Sequence, residues 1–340
     1  MKKNVLLFMV LSAFILSGCK DGKSKLYIFN WSYYIPDTVL EGFEEEFNTK
    51  VVYDVFESNE EMFAKLRAGG TGYDITFPSG DYASIMINEG MVAKVNRDLV
   101  PNLKNIDENI IRKIKYDPIM DYSIPYMMGT AGVAVNTKFI KDFPKDFSIF
   151  EREDFKGRMT LLDDMREVIG SALASLGYSV NSVNESELRQ AKEVVLKWKK
   201  NILKFDSASF GKGFASGEFW VVNGYAENVF LELDEDTIKD VLYFIPKNGG
   251  TMYLDSMVIL KDSKNVELAH QFINYIHRPE VYAQIADYLM LPSINVEARK
   301  IVKEIPTYTI EDLANNEFKE DLGSNIELWD KIWQEIRVQN

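Results

Sequence analysis

The chain has 340 residues but only one cysteine, Cys19, and two histidines, His270 and His277. One cysteine allows no internal disulfide and no site built from several thiolates. The histidines stand seven apart in a helical stretch, about 10 Å along the axis at 1.5 Å per residue, too far to share a metal. They read as surface or core residues. A serine hydrolase with its own histidine and a histidine-based zinc enzyme are therefore disfavoured. Basic residues are also short, 39 against 52 acidic, for a formal charge of −13. Nucleic acid and anionic lipid are poor partners for such a surface. Beyond the apolar run Val5–Leu16, itself too short to span a bilayer comfortably, no stretch reaches transmembrane length. There is no internal repeat and no low-complexity segment.

What is present begins at the N-terminus. Lys2 and Lys3 precede the run Val5–Leu16, and the small residues Ser17 and Gly18 lead into Cys19. This has the layout of a secretory signal and resembles the lipobox of bacterial lipoproteins. The resemblance implies cleavage after residue 18 and acylation of Cys19, which leaves a protein tethered by lipid outside the cytoplasm, since two or more acyl chains hold where one is marginal. No cysteine nucleophile or thiolate ligand then remains. Residues 1–18 hold two lysines and no acid, so their removal takes the formal charge from −13 to −15. The roughly 320 residues that remain exceed one core and suggest two lobes.

After a tether over residues 19–24 the pattern alternates strand and helix. Leu26–Phe29, Val51–Phe56 and Tyr73–Phe77 read as strands, and Val39, Leu40, Phe43 and Phe47 give one apolar helical face. Ser58 and Glu61 have capping-box spacing, and a further helix follows Pro78-Ser79-Gly80. This βαβαβ order predicts a mostly parallel sheet with helices on both faces. The middle repeats the grammar. Ser123–Asn136 reads as an extended crossing, Arg158–Leu162 as a strand, and Glu167–Leu176 and Glu185–Lys200 as helices. Strands follow at Tyr243–Pro246 and through Asp255 to Leu260, then a helix over Val266–His277 ended by Arg278-Pro279, and a terminal helix whose Trp329 and Trp333 read as packing residues. Two α/β lobes imply a cleft between them, where small ligands bind. The glycine-rich Gly211–Gly217 lacks the Gly-Lys-Ser/Thr ending of a phosphate loop. It reads as a loop, as does Gly69–Gly72.

Carboxylates stand at strand ends: Asp163, Asp164 and Glu167, then Glu227, then Asp255. Aromatic residues interleave with them: Trp31, Tyr33 and Tyr34, then Tyr82, Tyr225 and Tyr253. Positions 253 and 255 of a strand share one face. An aromatic face attracts a cation by about 0.5–2 kcal/mol, and opposite charges 4 Å apart gain about 4 kcal/mol at an effective dielectric near 20. A slot walled by such rings and ended by carboxylates selects a linear polycation. The same residues also suit a sugar, with rings stacked on pyranose faces, and a pair such as Asp164 or Glu167 with Asp255 could serve as the acid and base of a glycosidase.

The segments Phe29–Pro36, Glu57–Glu60 with Ala64-Lys65-Leu66, Asp121–Tyr126, Leu161–Val168 and Asp255-Ser256 resemble, in order along nearly the whole chain, the spermidine/putrescine-binding subunits of bacterial polyamine ABC importers. The resemblance implies an α/β fold of two lobes, the type II periplasmic-binding architecture. The expected division places residues 25–129 and 251–299 in one lobe and 130–250 and 300–340 in the other. It implies a monomeric, non-enzymatic carrier without metal or cofactor, which delivers a polyamine to an inner-membrane permease. Trp31 would stack on the alkyl chain, Ser32 and Tyr34 would line the first wall, Ser79 and Ser207 would make polar contacts, and Asp164, Glu167 and Asp255 would pair with amines. The chain departs from the family where Tyr225 and Tyr253 replace tryptophans. Asp81, beside Tyr82, replaces a tyrosine, Leu291 another, and Lys319 a late glutamine. Glu227 and Asp81 add negative charge, whereas an ammonium at Lys319 reaching Glu167 would occupy a carboxylate that a third ligand amine needs.

Overall fold

The computed structural model describes residues 23–69 and 72–339, so Cys19 and the tether up to residue 22 lie outside the described residues. The chain opens with β1 (Ser24–Trp31), α1 (Asp37–Glu46), β2 (Thr49–Phe56), α2 (Asn59–Arg67), β3 (Ile75–Thr76), α3 (Gly80–Asn88) and the short α4 (Glu108–Ile111). β1 runs parallel to both β2 and β3. Leu26 and Ile28 enter one core and Phe29 the core on the opposite face, so this sheet is covered on both sides, as parallel strands require. Ser58 caps α2 by accepting the Glu61 amide at 3.1 Å. The Glu61 carboxylate returns to the Glu57 amide at 3.0 Å, one residue before the partner that a capping box would use.

The expected crossing segment is a pair of strands, β4 (Ser123–Gly129) and β5 (Ala131–Asn136), separated by Thr130. β4 pairs with a strand of the first sheet and β5 lies inside the second. The second lobe adds β6 (Met159–Leu161), α5 (Met165–Ser175), α6 (Glu185–Lys199), β7 (Ile202–Phe205), α7 (Phe210–Ala215), β8 (Val221–Tyr225), α8 (Ala226–Phe230) and β9 (Val241–Phe244). Its strand order is β7-β6-β8-β5-β9. The chain then returns through β10 (Thr251–Ile259), α9 (Val266–Ile276), α10 (Pro279–Leu289) and β11 (Glu317–Phe318), and ends in α11 (Ile326–Val338). The first sheet is ordered β11-β10-β3-β1-β2, with β4 also on β10. β10 is antiparallel to β3 and β4, which makes the sheet mixed rather than wholly parallel.

Several readings change. Gly211–Gly217 is mostly helix, not loop. The glycines of α7 admit close packing, because a Cβ at Gly211 would meet the Asn228 carbonyl and one at Gly213 the Phe219 ring. Pro279 starts α10 instead of only ending α9, the usual place for a proline at the first helical position. Residues 300–340 divide between the cores. Tyr308 and Leu313 pack with the first sheet and β11 extends it, whereas Trp329, Ile332 and Trp333 pack with the second. Both histidines are core residues. His270 Nε2 accepts the Asn96 amide at 2.8 Å. His277 is stacked on Tyr282, and burial pushes its pKa down to about 4, which keeps it neutral.

A carboxylate row where the two sheets meet

β10 organises the site. Thr251, Tyr253 and Asp255 alternate onto one face of this strand, and each serves a different carboxylate. Thr251 Oγ1 donates to Glu167 Oε2, and Tyr253 Oη donates to Glu227 Oε1 at 3.3 Å. Asp255 is itself the third. The register slips between Asp255 and Ser256, where Tyr126 of β4 is the extra residue of a bulge, and the Ser256 amide donates to the Pro78 carbonyl at 3.0 Å.

At the Asp255 end the partners come from the first lobe. Tyr34 Oη donates to Oδ2 at 2.7 Å and Ser79 Oγ to Oδ1 at 2.6 Å. Asn59 braces Ser79 twice, donating to its hydroxyl at 3.0 Å and accepting its amide at 3.1 Å. Asp255 is 4% exposed, and burial pushes its pKa up to about 6 against the opposing pull of these hydroxyls and of Lys319. Glu227, at the start of α8, is pushed up to about 7 by burial, with its own amide and Tyr253 opposing. Tyr34 and Tyr253 are held far above their ordinary pKa, chiefly by burial, so both act as donors.

At the other end α5 presents two acids. Asp164 caps the helix, accepting the Arg166 and Glu167 amides at 2.7 and 3.0 Å. Glu167, 1% exposed, accepts from Thr251, from Tyr225 Oη at 3.2 Å and from Lys319 Nζ at 2.6 Å. Burial raises the pKa of Glu167, but the Lys319 charge and these hydrogen bonds outweigh it and hold it below the ordinary value. Lys319 follows β11, and its amide donates to the Met252 carbonyl at 2.9 Å. Its buried ammonium, which desolvation alone would weaken, is held above its usual pKa by Glu167, Asp164 and Asp81. Burial raises Asp81 and Asp164, with Lys319 opposing in both. The Tyr225 and Tyr253 rings meet edge to face at 5.7 Å, joining the end of β8 to β10.

The remaining expected residues stand around this row. Trp31 donates its indole N–H to the Phe77 carbonyl at 2.9 Å and packs on Phe56 with ring centres 4.6 Å apart. Tyr82 donates to Glu60 at 3.0 Å. Ser32 donates outward to Glu57 at 2.6 Å, and Ser207, exposed, accepts the Asp163 amide at 2.9 Å, so neither hydroxyl bonds to the row. Thr251 and Glu60 escaped the sequence reading as parts of the site. For Thr251 the signal was present, because it continues the 253, 255 alternation by one more step.

Two lobes joined by crossing strands, with a polar row where they meet, define a two-domain binding protein of the periplasmic type. The sequence profile of bacterial extracellular solute-binding proteins matches residues 38–309, and the chain belongs to that family. It is 33% identical over 328 residues to the spermidine/putrescine-binding periplasmic protein of Escherichia coli, covering 94% of this chain and 93% of the relative. It is 33% identical over 316 residues to the putrescine-binding periplasmic protein SpuD of Pseudomonas aeruginosa, covering 86% of each. The crystal structure of the TpPotD lipoprotein of Treponema pallidum superposes with a TM-score of 0.91 at 44% identity, covering 93% of this chain and all of that one. The protein is a bacterial extracellular solute-binding protein.

Proposed function

We propose that the substrate is a polyamine, captured outside the cytoplasm and passed to an ABC permease. The observation that carries this is a charge imbalance. Five carboxylates converge at the junction, Asp81, Glu167 and Asp255 buried and Asp164 and Glu227 half-buried, and of these five only Glu167 has an ion-pair partner among the described residues, Lys319. Buried carboxylates without cations are costly, and a ligand carrying ammonium groups relieves that cost while tyrosine faces cover its alkyl chain. The names of the relatives support the same chemistry. Closure of the lobes over the ligand would create the surface a permease recognises. The carrier reading includes a monomer, no catalysis, and attachment through lipid on Cys19. The Lys2-to-Cys19 pattern supports that anchor, and among the described residues no helix is long and apolar enough to cross a membrane.

The test is thermal melting of protein freed of carried-over ligand by unfolding and refolding. Putrescine or spermidine should raise the Tm by mass action, and neutral oligosaccharides should not. A shift with oligosaccharide alone would favour a sugar binder, and hydrolysis of a glycoside by the purified protein would favour a carboxylate enzyme. Mass spectrometry of the membrane-extracted protein checks the anchor, with Cys19 acylated as the expected result.

A further inference from the structure

Resting on the polyamine reading, we infer that Lys319 is a built-in ammonium that occupies the Glu167 end of the row, so that the site accepts a diamine and discriminates against a triamine. The argument starts from β10. Thr251, Tyr253 and Asp255 are presented at intervals of about 7 Å, the rise of two strand residues. They address Glu167, Glu227 and Asp255 in that order. The three acids therefore follow one another along the strand, three marks in order.

The marks differ in what already occupies them. At the Thr251 mark, Glu167 accepts three donors, and one of them is a cation of the same chain. The Lys319 ammonium also acts on Asp164 and Asp81, so one charge serves three acids there. The side chain is 9% exposed and its backbone is tied to Met252, so leaving this position would require the residue to break a buried ion pair and move off the sheet edge. At the other two marks no basic side chain among the described residues is paired with Glu227 or Asp255. Those two take ligand. A four-carbon diamine carries two ammonium groups roughly 6 Å apart, given bonds of about 1.5 Å, one for each of these two acids. A third ammonium extended along the row arrives at the mark that Lys319 fills, meeting a like charge and an acid that already accepts three donors.

Lys319 thus acts as a specificity determinant. It also ties the lobes, because its backbone lies on the first sheet and its ammonium on a helix of the second.

The test is calorimetric titration of the stripped protein with putrescine and with spermidine, for the wild type, Lys319→Gln and Lys319→Arg. The wild type should bind putrescine more tightly. Lys319→Gln should lower the ratio of the spermidine to the putrescine dissociation constant by about tenfold or more, equivalent to about 1.4 kcal/mol, and Lys319→Arg should leave it near the wild-type value. A wild type that binds spermidine as tightly as putrescine overturns the inference without any variant. So does an unchanged ratio in Lys319→Gln when both amines bind. If neither amine binds the wild type, the polyamine reading itself fails, a result distinct from either of these.

Discussion

Glu167 and Asp255 are both almost fully buried and both accept a tyrosine hydroxyl, yet only Glu167 has a lysine of its own chain 2.6 Å away. The consequence shows in their protonation, with Glu167 held below its ordinary pKa and Asp255 pushed up to about 6. Burial acts on the two alike. What separates them is whether the protein has supplied the cation or left it to be supplied. A neutralised acid contributes to the fold, and an unneutralised one keeps the fold waiting for a ligand, the usual trade between stability and function.

The comparison breaks most visibly at Glu167. Glu167→Gln leaves the Lys319 ammonium buried without its hydrogen-bonded partner. Removing one member of a buried pair costs about 3–5 kcal/mol, and the lower end applies here because Asp164 and Asp81 remain near. Chemical denaturation should show that loss, and the double variant with Lys319→Gln should recover much of it. Asp255→Asn should do the opposite. It removes a charge that the ligand-free fold tolerates poorly, so its Tm should not fall, while putrescine binding weakens by about 1.5–3 kcal/mol with the loss of a charge-assisted contact. A variant that bound normally but melted far lower would place Asp255 in the structure rather than the site.

Acid sharpens the contrast. The folded-state pKa values of Asp255 and Glu227 lie above their ordinary values, at about 6 and about 7. Below their ordinary pKa values the stability that these groups contribute is fully present, and it is lost as the pH rises through 6 to 7. Ligand-free protein should therefore lose stability from these groups between about pH 4 and about pH 7. Putrescine affinity should rise between pH 5 and pH 8, by roughly tenfold from Asp255 and by up to roughly a hundredfold from Glu227, because binding requires the charged acids. Dissociation constants measured across that range check the sign. The smallest effect is expected at Ser32, whose hydroxyl turns outward to Glu57. Ser32→Ala should change putrescine affinity by less than about 0.5 kcal/mol.

The alternation of strand and helix was legible because its signals are local. β1, α1, α2, α5, α6 and α11 fall within a few residues of their expected places, since apolar spacing and caps such as Ser58 and Asp164 act over one or two turns. β3 is shorter than its apolar run, and α7 was hidden by glycines whose reason lies outside the helix, in packing against Asn228 and Phe219. The site divides the same way. Tyr253 and Asp255 could be placed on one face from their spacing alone, and resemblance put Lys319 near Glu167. That Tyr34 and Ser79 would grip opposite oxygens of Asp255 depends on contacts 221 and 176 residues apart, which no local pattern encodes.

The central claim is that the unpaired acids of the row exist to be neutralised by a ligand. Calorimetric titration of the stripped protein with putrescine at pH 6.5, in two buffers of different ionisation heat, tests it most directly. The account predicts one putrescine per chain and release of protons on binding, because the ligand ionises acids that the empty site holds partly protonated. Saturable binding without proton release, or no binding at all, would contradict it.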